Sequence, residues 1–323
     1  MSGIEPDLSI VIITKDTREM LKSLLVSIRQ DNSLRPYIKE LVVVDNASTD
    51  GTTEMILSDF PEVFLIRNPQ NKGFAASANT GIAHTTGRYI LFLNSDTVMI
   101  KGEMLKMLEF MERQKDIGIC GPQLVYDDMR PQRSFAYRPN MIIELIPKSV
   151  LEFFLPSKYA SKSRIYTATV EVDSLIGAAI MIKRDAINLT GGFDERFFFF
   201  LEETDLCLRV REKGLKVVFL PDIKIVHLQG KTVRKSWING RIEYNISLHK
   251  FIKKHHNYLY YSIFSLIRFL KCLLVIVAYS VMPLIFCSGK QRIKYIYYLR
   301  LFSWYVKRCP DKGGLRPNFP AQK

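Results

Sequence analysis

The chain has 323 residues, 47% of them hydrophobic, and a formal net charge of +14; its length and apolar content suffice for a full core in one or two domains. Residues 1–230 hold 28 Lys and Arg against 30 Asp and Glu, a balance of −2, whereas residues 231–323 hold 18 against 2, a balance of +16. So basic a last third calls for a polyanionic partner, and the apolar run inside it selects an anionic membrane surface and excludes nucleic acid.

The segment Met1–Asp7 is polar and acidic, not a signal peptide, so the catalytic part is expected in the cytoplasm. Leu8–Ile13 reads as an apolar strand. Met20, Leu21, Leu24, Leu25 and Ile28 then recur at helical spacing. Leu41–Val44, Val63–Ile66 and Tyr89–Leu93 read as three more strands, with helices at Thr52–Ser58 and Gly73–Ala83 between them. This alternation predicts an α/β fold: a mostly parallel sheet flanked by helices on both faces. A helix over Met104–Met111 and a strand at Ile117–Ile119 follow. From Val125 to Thr169 the pattern is irregular and proline-rich, an excursion expected near the acceptor side. Regular structure returns at Ser174–Ile182 and in a helix around Arg184–Leu189. The five cysteines form no CxxC pair, and no His lies at metal-finger spacing, so free thiols in a reducing compartment are expected.

Two apolar strands end in a carboxylate: Leu41–Val44 in Asp45, and Tyr89–Leu93 in Asn94-Ser95-Asp96. A carboxylate closing a buried strand is costly unless something pairs with it. The carboxyl ends of strands are also where open α/β sheets bind ligands. A divalent metal carrying a nucleoside diphosphate meets that need. The first strand is followed by Thr14-Lys15-Asp16-Thr17-Arg18, without the glycines of a dinucleotide fingerprint, and no GxxxxGK[ST] loop occurs. Phosphates must therefore be held another way, most simply by a metal.

A further signal is the run Phe197–Phe200 leading into Glu202-Glu203-Thr204-Asp205. Acids beside so much aromatic surface are desolvated, which raises their pKa toward useful base strength. The plainer alternative is an acidic first turn facing the helix dipole, with Asp205 and Arg209 as an i,i+4 pair. In Val226-His227-Leu228-Gln229-Gly230 a His closes another apolar strand, where a lone His is more often structural than a ligand.

Taken together, these segments resemble the inverting family 2 glycosyltransferases of the GT-A fold, nearest to the subgroup with bacterial rhamnosyltransferases. The match runs from about Leu8 to about His256 and includes "VVVDNASTDGT" at 42–52, "NKGFAASANTGI" at 71–82 and "YILFLNSDT" at 89–97. It continues with "LIGAAIMIKRDA" at 175–186, "GGFDERFFFFLEETDLCLR" at 191–209 and "VHLQGKT" at 226–232. The resemblance implies that Thr14, Asp16 and Asp45 hold the base and ribose, with Lys72 and Asn79 lining the nucleotide pocket. Asn94-Ser95-Asp96 stands where the family has Asp-x-Asp. Asp96 would bind Mg2+ or Mn2+, with His227 as second ligand. Glu203 stands at the general base, one methylene longer than the family's Asp, with Glu202 as runner-up. Gly177 and Asp205 fall on the acceptor side. The implied partners are a dTDP- or UDP-sugar donor and a lipid-linked or oligosaccharide acceptor, with rhamnose as the first guess for the sugar. Two rivals stand beside this reading. A nucleotidyltransferase would want a Gly-rich basic loop after the first strand. A non-catalytic nucleotide-sugar binding protein would not need Asp45, Asp96, Glu203 and His227.

The sequence divides into a catalytic domain, 1–230, and a basic helical region, 231–323. Leu259–Leu270 and Leu273–Phe286 are apolar, but Arg268, Lys271 and Pro283 interrupt them. The uninterrupted stretch is shorter than the ~20 residues of a spanning helix. Both flanks are basic, which predicts a re-entrant or in-plane hairpin on the cytoplasmic membrane face; the alternatives are a single crossing and ordinary core packing on the catalytic domain. Ile293–Val306, rich in aromatics, suits an interfacial helix.

Overall fold

The computed structural model describes residues 7–146, 148–155, 166–228, 237–281, 289–311 and 313–316. Its first half alternates strand and helix: β1 (Leu8–Thr14), α1 (Arg18–Gln30), β2 (Ile38–Asp45), α2 (Thr52–Asp59), β3 (Phe64–Arg67), α3 (Phe74–Ala83) and β4 (Tyr89–Asn94). Next come β5 (Thr97–Met99), α4 (Glu103–Arg113), β6 (Ile117–Val125), β7 (Phe135–Ala136), α5 (Met141–Leu145) and α6 (Lys148–Phe154). The catalytic half closes with β8 (Val170–Glu171), β9 (Ser174–Leu175), β10 (Ala179–Lys183), α7 (Arg184–Thr190), α8 (Glu202–Glu212) and β11 (Lys216–His227). Three helices follow: α9 (Trp237–His255), α10 (Tyr258–Val281) and α11 (Gly289–Val306).

The main sheet has the order β3-β2-β1-β4-β10-β6-β11-β5, with β8 also paired to β11. β3, β2, β1 and β4 are parallel neighbours. β10 runs antiparallel between β4 and β6, and β5 runs antiparallel to β11. Strand residues alternate between two cores, because successive side chains leave opposite faces. Ile10, Ile12, Leu91 and Leu93 pack with α1, α2 and α4 on one side. Val11, Ile90 and Phe92 pack with α3, α7 and α8 on the other. Burial on both faces explains why these strands read as continuous apolar runs.

Five short elements differ from the sequence expectation. β5 follows Asp96 directly, and β7 lies inside the irregular excursion and β8 just after it. α5 and α6 also lie inside it, at five and seven residues too short to show helical periodicity. Ser174–Ile182 is broken into β9 and β10 around Gly177.

The expected boundary at residue 230 lies outside the described residues. Beyond it, α9 shares a core with the catalytic part: Leu248, Phe251 and Ile252 pack on Phe197, Leu201 and Leu208. α11 buries Tyr297, Leu301 and Trp304 against Ile242 and Ile246 of α9, so it packs as core along one face. α10 runs unbroken through Arg268 and Lys271, which corrects the expected interruption. Arg268 turns inward to pair with Glu144 of α5 at 2.9 Å, so its charge leaves the apolar face intact. Tyr258–Ser280, 23 residues, is thereby long and apolar enough to cross a membrane by length and composition. Pro283 and the expected hairpin turn lie outside the described residues.

Candidate active site

The site forms where β1, β2 and β4 end. Thr14 and Asp45 stand opposite each other in the β1–β2 register. The loops that follow are stapled together: the Asp16 carboxylate accepts from the Thr49 N–H at 2.7 Å, and the Asp16 N–H donates to Ser48 Oγ at 2.9 Å. Asp16 holds this position with a positive φ of 50°, a strained conformation for a residue other than glycine and one that Asp tolerates better than most. The buried Asp45 carboxylate accepts from the Ser48 N–H at 2.9 Å and the Thr53 hydroxyl at 2.8 Å. Each oxygen keeps a second lone pair for a ligand. A hydroxyl chain, Thr14–Thr17 at 2.7 Å and Thr17–Ser95 at 2.8 Å, carries the β1 loop across to the end of β4. Thr14, Asp16, Asp45 and Ser95 are therefore one cluster.

Lys72 is exposed at its rim, in a loop anchored by the buried Asn46, Asn68 and Ser77. Asn79 is elsewhere, which corrects its expected place in the pocket. Its amide accepts from the Phe193 N–H at 2.9 Å and donates to the Phe193 carbonyl at 2.8 Å and to Glu195 at 3.0 Å. With every polar atom so engaged, Asn79 fixes the Gly192–Phe193 turn. Above it, Gly73 allows Phe198 to lie against the loop. A Cβ at position 73 would stand 2.3 Å from the Phe198 carbonyl oxygen.

Asn94-Ser95-Asp96 forms the tight turn between β4 and β5, closed by the Thr97 hydroxyl donating to the Asn94 carbonyl at 2.8 Å. Short polar residues suit such a turn. β5 pairs with β11 so that Thr97 faces His227, and the Leu228 N–H donates to the Asp96 carbonyl at 2.9 Å. This register brings His227 Nε2 to 3.5 Å from Asp96 Oδ1.

Gln132, which the sequence did not single out, completes the arrangement. Its Nε2 donates to the His227 carbonyl at 2.6 Å and the Val125 carbonyl at 3.2 Å, which fixes the amide's orientation. Oε1 therefore faces His227 Nδ1, at 3.0 Å. In the neutral ring the proton sits on Nδ1 and the lone pair on Nε2, toward Asp96. A carboxylate oxygen and an imidazole lone pair converging this closely fit a divalent cation, with the His oriented by an outer amide as metal-ligating histidines are. The signal in the sequence was the turn Asp127-Asp128-Met129-Arg130-Pro131, which returns Gln132 beside the end of β6.

β10 connects this turn to the acids of α8. The Asn94 N–H donates to the Ala178 carbonyl at 2.9 Å. The neighbouring Gly177 lies against Glu203, where a Cβ would stand 3.6 Å from Glu203 Cγ. Gly177 is thus beside Glu203, and its N–H hydrogen bonds the Glu203 carboxylate. α8 begins after two consecutive left-handed residues, Phe200 and Leu201, with φ of 71° and 66°. Such strain persists only where packing enforces it, here by Phe197 and Leu201 in the core shared with α9. Burial pushes the Glu203 carboxyl up to about 7, against backbone N–H groups of the first helical turn and Gly177 that pull it down. The side chain is half-buried, so it combines a raised pKa with access. Glu202 is fully buried, and burial, then the charge of Glu203, pushes it well above the carboxylate range. Among the described residues its Oε2 has no hydrogen-bond partner.

Asp205 is not on the acceptor side, a second correction. It is completely buried and accepts from Arg209 at 2.8 Å, Lys254 at 2.6 Å and His255 at 2.8 Å. Burial raises its pKa, but hydrogen bonds from His255 and Lys254 and the charge of Arg209 outweigh it and hold the carboxyl low. The plainer i,i+4 pairing is the one observed, extended by two residues of α9.

A family model for "Glycosyl transferase family 2" matches residues 9–189. The chain is similar to the N-acetylglucosaminyl-diphospho-decaprenol L-rhamnosyltransferase of Mycobacterium tuberculosis, at 23% identity over 77% of this chain and 85% of the relative. It is also similar to the dTDP-rhamnosyl transferase RfbF of Shigella flexneri, at 28% identity over 76% of this chain and 75% of the relative. Among solved structures, the mannosyltransferase PcManGT from Pyrobaculum calidifontis, in complex with GDP-Man and Mn2+, aligns with a TM-score of 0.61 at 16% identity. It covers 96% of this chain and 89% of its own. At that identity the likeness shows the fold, the GT-A arrangement of a mostly parallel sheet flanked by helices.

Proposed function

Because the chain belongs to glycosyltransferase family 2, we propose that this glycosyltransferase moves rhamnose, with inversion, from dTDP-rhamnose or a UDP-sugar to a hydroxyl of a lipid-linked or oligosaccharide acceptor. The observation that carries the reading is the paired geometry at one sheet end: Asp96 facing a lone pair of His227, and Glu203 held against Gly177. Thr14, Asp16 and Asp45 form the nucleoside end of the pocket, and Ser95 joins them to the diphosphate end. Asp96 and His227 would hold Mg2+ or Mn2+, with Asn94 beside them as a neutral side chain. The metal, when bound, supplies Lewis-acid stabilisation to the departing diphosphate. Glu203 takes the proton of the acceptor hydroxyl as its oxygen attacks the anomeric carbon from the face opposite the leaving group. The carbon–oxygen bond to the diphosphate breaks with its electron pair, so no covalent sugar–enzyme bond is needed. Glu202, buried beside Glu203, is pushed toward its neutral form.

We place the enzyme on the cytoplasmic membrane face, with residues 1–230 and α9 as the catalytic body and the rest of the basic region as membrane attachment. α10 supports this, and so do relatives whose names include decaprenol and teichuronic acid synthesis. The test is release of nucleoside diphosphate from a panel of activated sugars, with Mn2+ and a polyprenyl-diphosphate N-acetylglucosamine acceptor. The expected result is acceptor-dependent release of dTDP from dTDP-rhamnose that stops with chelator. Equal release with chelator would remove the metal role, and transfer only from another donor would replace rhamnose.

A further inference from the structure

α10 carries an exposed apolar stripe. Leu259, Ile263, Leu266, Leu270, Leu274 and Val277 recur three or four residues apart and are all exposed, so they line one face. Phe264 and Cys272 are buried on the inner side, and Arg268 is used inside by Glu144 and Asn245. An apolar stripe facing outward reverses the order expected of a helix in water.

The stripe does not end with α10. α5 lies alongside it, fixed at both ends: the Met141 N–H donates to the Tyr260 hydroxyl at 2.7 Å, and Lys271 Nζ donates to the Glu144 carbonyl at 3.3 Å. α6 continues from α5, with Leu151 buried in the catalytic core and Tyr137 donating to Glu152 at 2.7 Å. Held this way, α6 points Phe153, 78% exposed, and Phe154, 72% exposed, outward, followed by Leu155. Two adjacent phenylalanines this exposed mark an interaction site. The two acids of α5 and α6 are engaged, Glu144 by Arg268 and Glu152 by the Tyr137 hydroxyl, and the exposed charge is mostly basic. Lys148, Lys253, Lys271, Arg292, Lys294 and Arg300 are exposed, while residues 231–323 contain only Glu243, buried, and Asp311 as acids.

We propose that α5 and α6 form a second membrane-inserting element beside α10, seated in a bilayer of anionic lipid. Apolar side chains ringed by cations match an interfacial element binding anionic headgroups, and the surface is continuous with α10, the helix read as membrane-attached. The proposal rests on that reading and extends it to the catalytic body. α5 and α6 are inserted between β7 and β9, which pair with each other, and β9 leads directly to Gly177 against Glu203. The bilayer is thereby attached to the strands that carry the acceptor side of the site.

The test is flotation of the full chain with phosphatidylglycerol–phosphatidylcholine vesicles. It compares the unaltered protein, Phe153→Glu with Phe154→Glu, the milder Phe153→Ser with Phe154→Ser, and Leu266→Glu with Leu274→Glu. Wild type is expected to float, and both Phe153/Phe154 variants to partition at least about tenfold more weakly, the loss of two buried rings. Their melting temperature and its rise with dTDP are expected to be unchanged. If the α10 variant loses binding while the Phe153/Phe154 variants float like wild type, this proposal is overturned and the membrane reading stands. If wild type does not float, both fall. If the phenylalanine variants change only oligomeric state, a second copy occupies the surface and the proposal fails.

Discussion

Asp96 and Asp205 are both acids at an element's end, yet they meet opposite fates. Asp96 sits in a two-residue turn whose geometry is set locally, by the Thr97 hydroxyl and the β5–β11 register. It faces another electron-pair donor, His227. Asp205 sits in the first turn of α8, where a carboxylate suits the helix dipole, but three donors saturate it, two from α9 some fifty residues away. Two residues earlier on the same helix, Glu203 meets burial and backbone N–H groups among the described residues, and burial raises it to about 7. Within one turn, remote packing holds one carboxyl low and burial pushes the other up.

The largest effect is expected at Asp96. We predict that Asp96→Ala abolishes metal-dependent donor binding and transfer with the fold intact. Mn2+ titration by paramagnetic resonance, alongside melting, checks this; retained Mn2+ affinity would assign the site to other residues. At Asp205 the loss should be in stability instead. Asp205→Asn removes the charge that Arg209, Lys254 and His255 share. Lys254 keeps Asp194 and Arg209 keeps the Thr190 and Gly192 carbonyls, so the expected cost is ~1–3 kcal/mol, that of buried hydrogen bonds lost. Denaturant unfolding reads the loss, while transfer per folded molecule should hold. The pH sign follows from its depressed pKa. The stabilisation is present above the ordinary value of 3.8 and is lost as pH falls below it, through the folded-state value. If the variant unfolds with the wild-type acid limb, Asp205 is not the group responsible.

Gln132 should give a smaller change. Gln132→Met removes the acceptor that holds the His227 tautomer, and outer-shell losses of this kind cost ~10–100-fold in metal affinity. Gln132→Glu, which keeps an acceptor, should recover part of it; no difference between the two would reduce Gln132 to packing. The smallest expected effect is in the pH profile. Because Glu203 is raised to about 7 from 4.5, kcat should climb with pH through about 7 to a plateau. A limb near 4.5 would mean that the base is not desolvated. The same shift has the opposite sign for stability: Glu203 favours the folded state below 4.5, and that contribution is lost as pH rises through about 7.

What was legible in the sequence follows the same division. The strands and long helices of the first half were readable because each buries both faces or one stripe within a short span. Asp45 and Asp96 were readable because an apolar strand ending in an acid is a local signal. Asn79 and Asp205 were misplaced because their partners, Phe193 and His255, are distant in sequence, and nothing near either residue announces them. For Gln132 the turn before it was the one local signal, and its meaning depends on a histidine 95 positions later. Arg268 looked like an interruption until the fold supplied Glu144 to turn it inward.

The most direct test of the account is to assay Glu203→Gln and Glu202→Gln side by side for donor affinity and for single-turnover sugar transfer. Glu203→Gln should bind the nucleotide sugar like wild type and lose ~10²–10⁴-fold in transfer, the usual effect of removing a general base. Glu202→Gln, which replaces a group that burial already pushes toward its neutral form, should transfer at close to the wild-type rate. An active Glu203→Gln beside a dead Glu202→Gln would contradict the account and move the base to the buried acid.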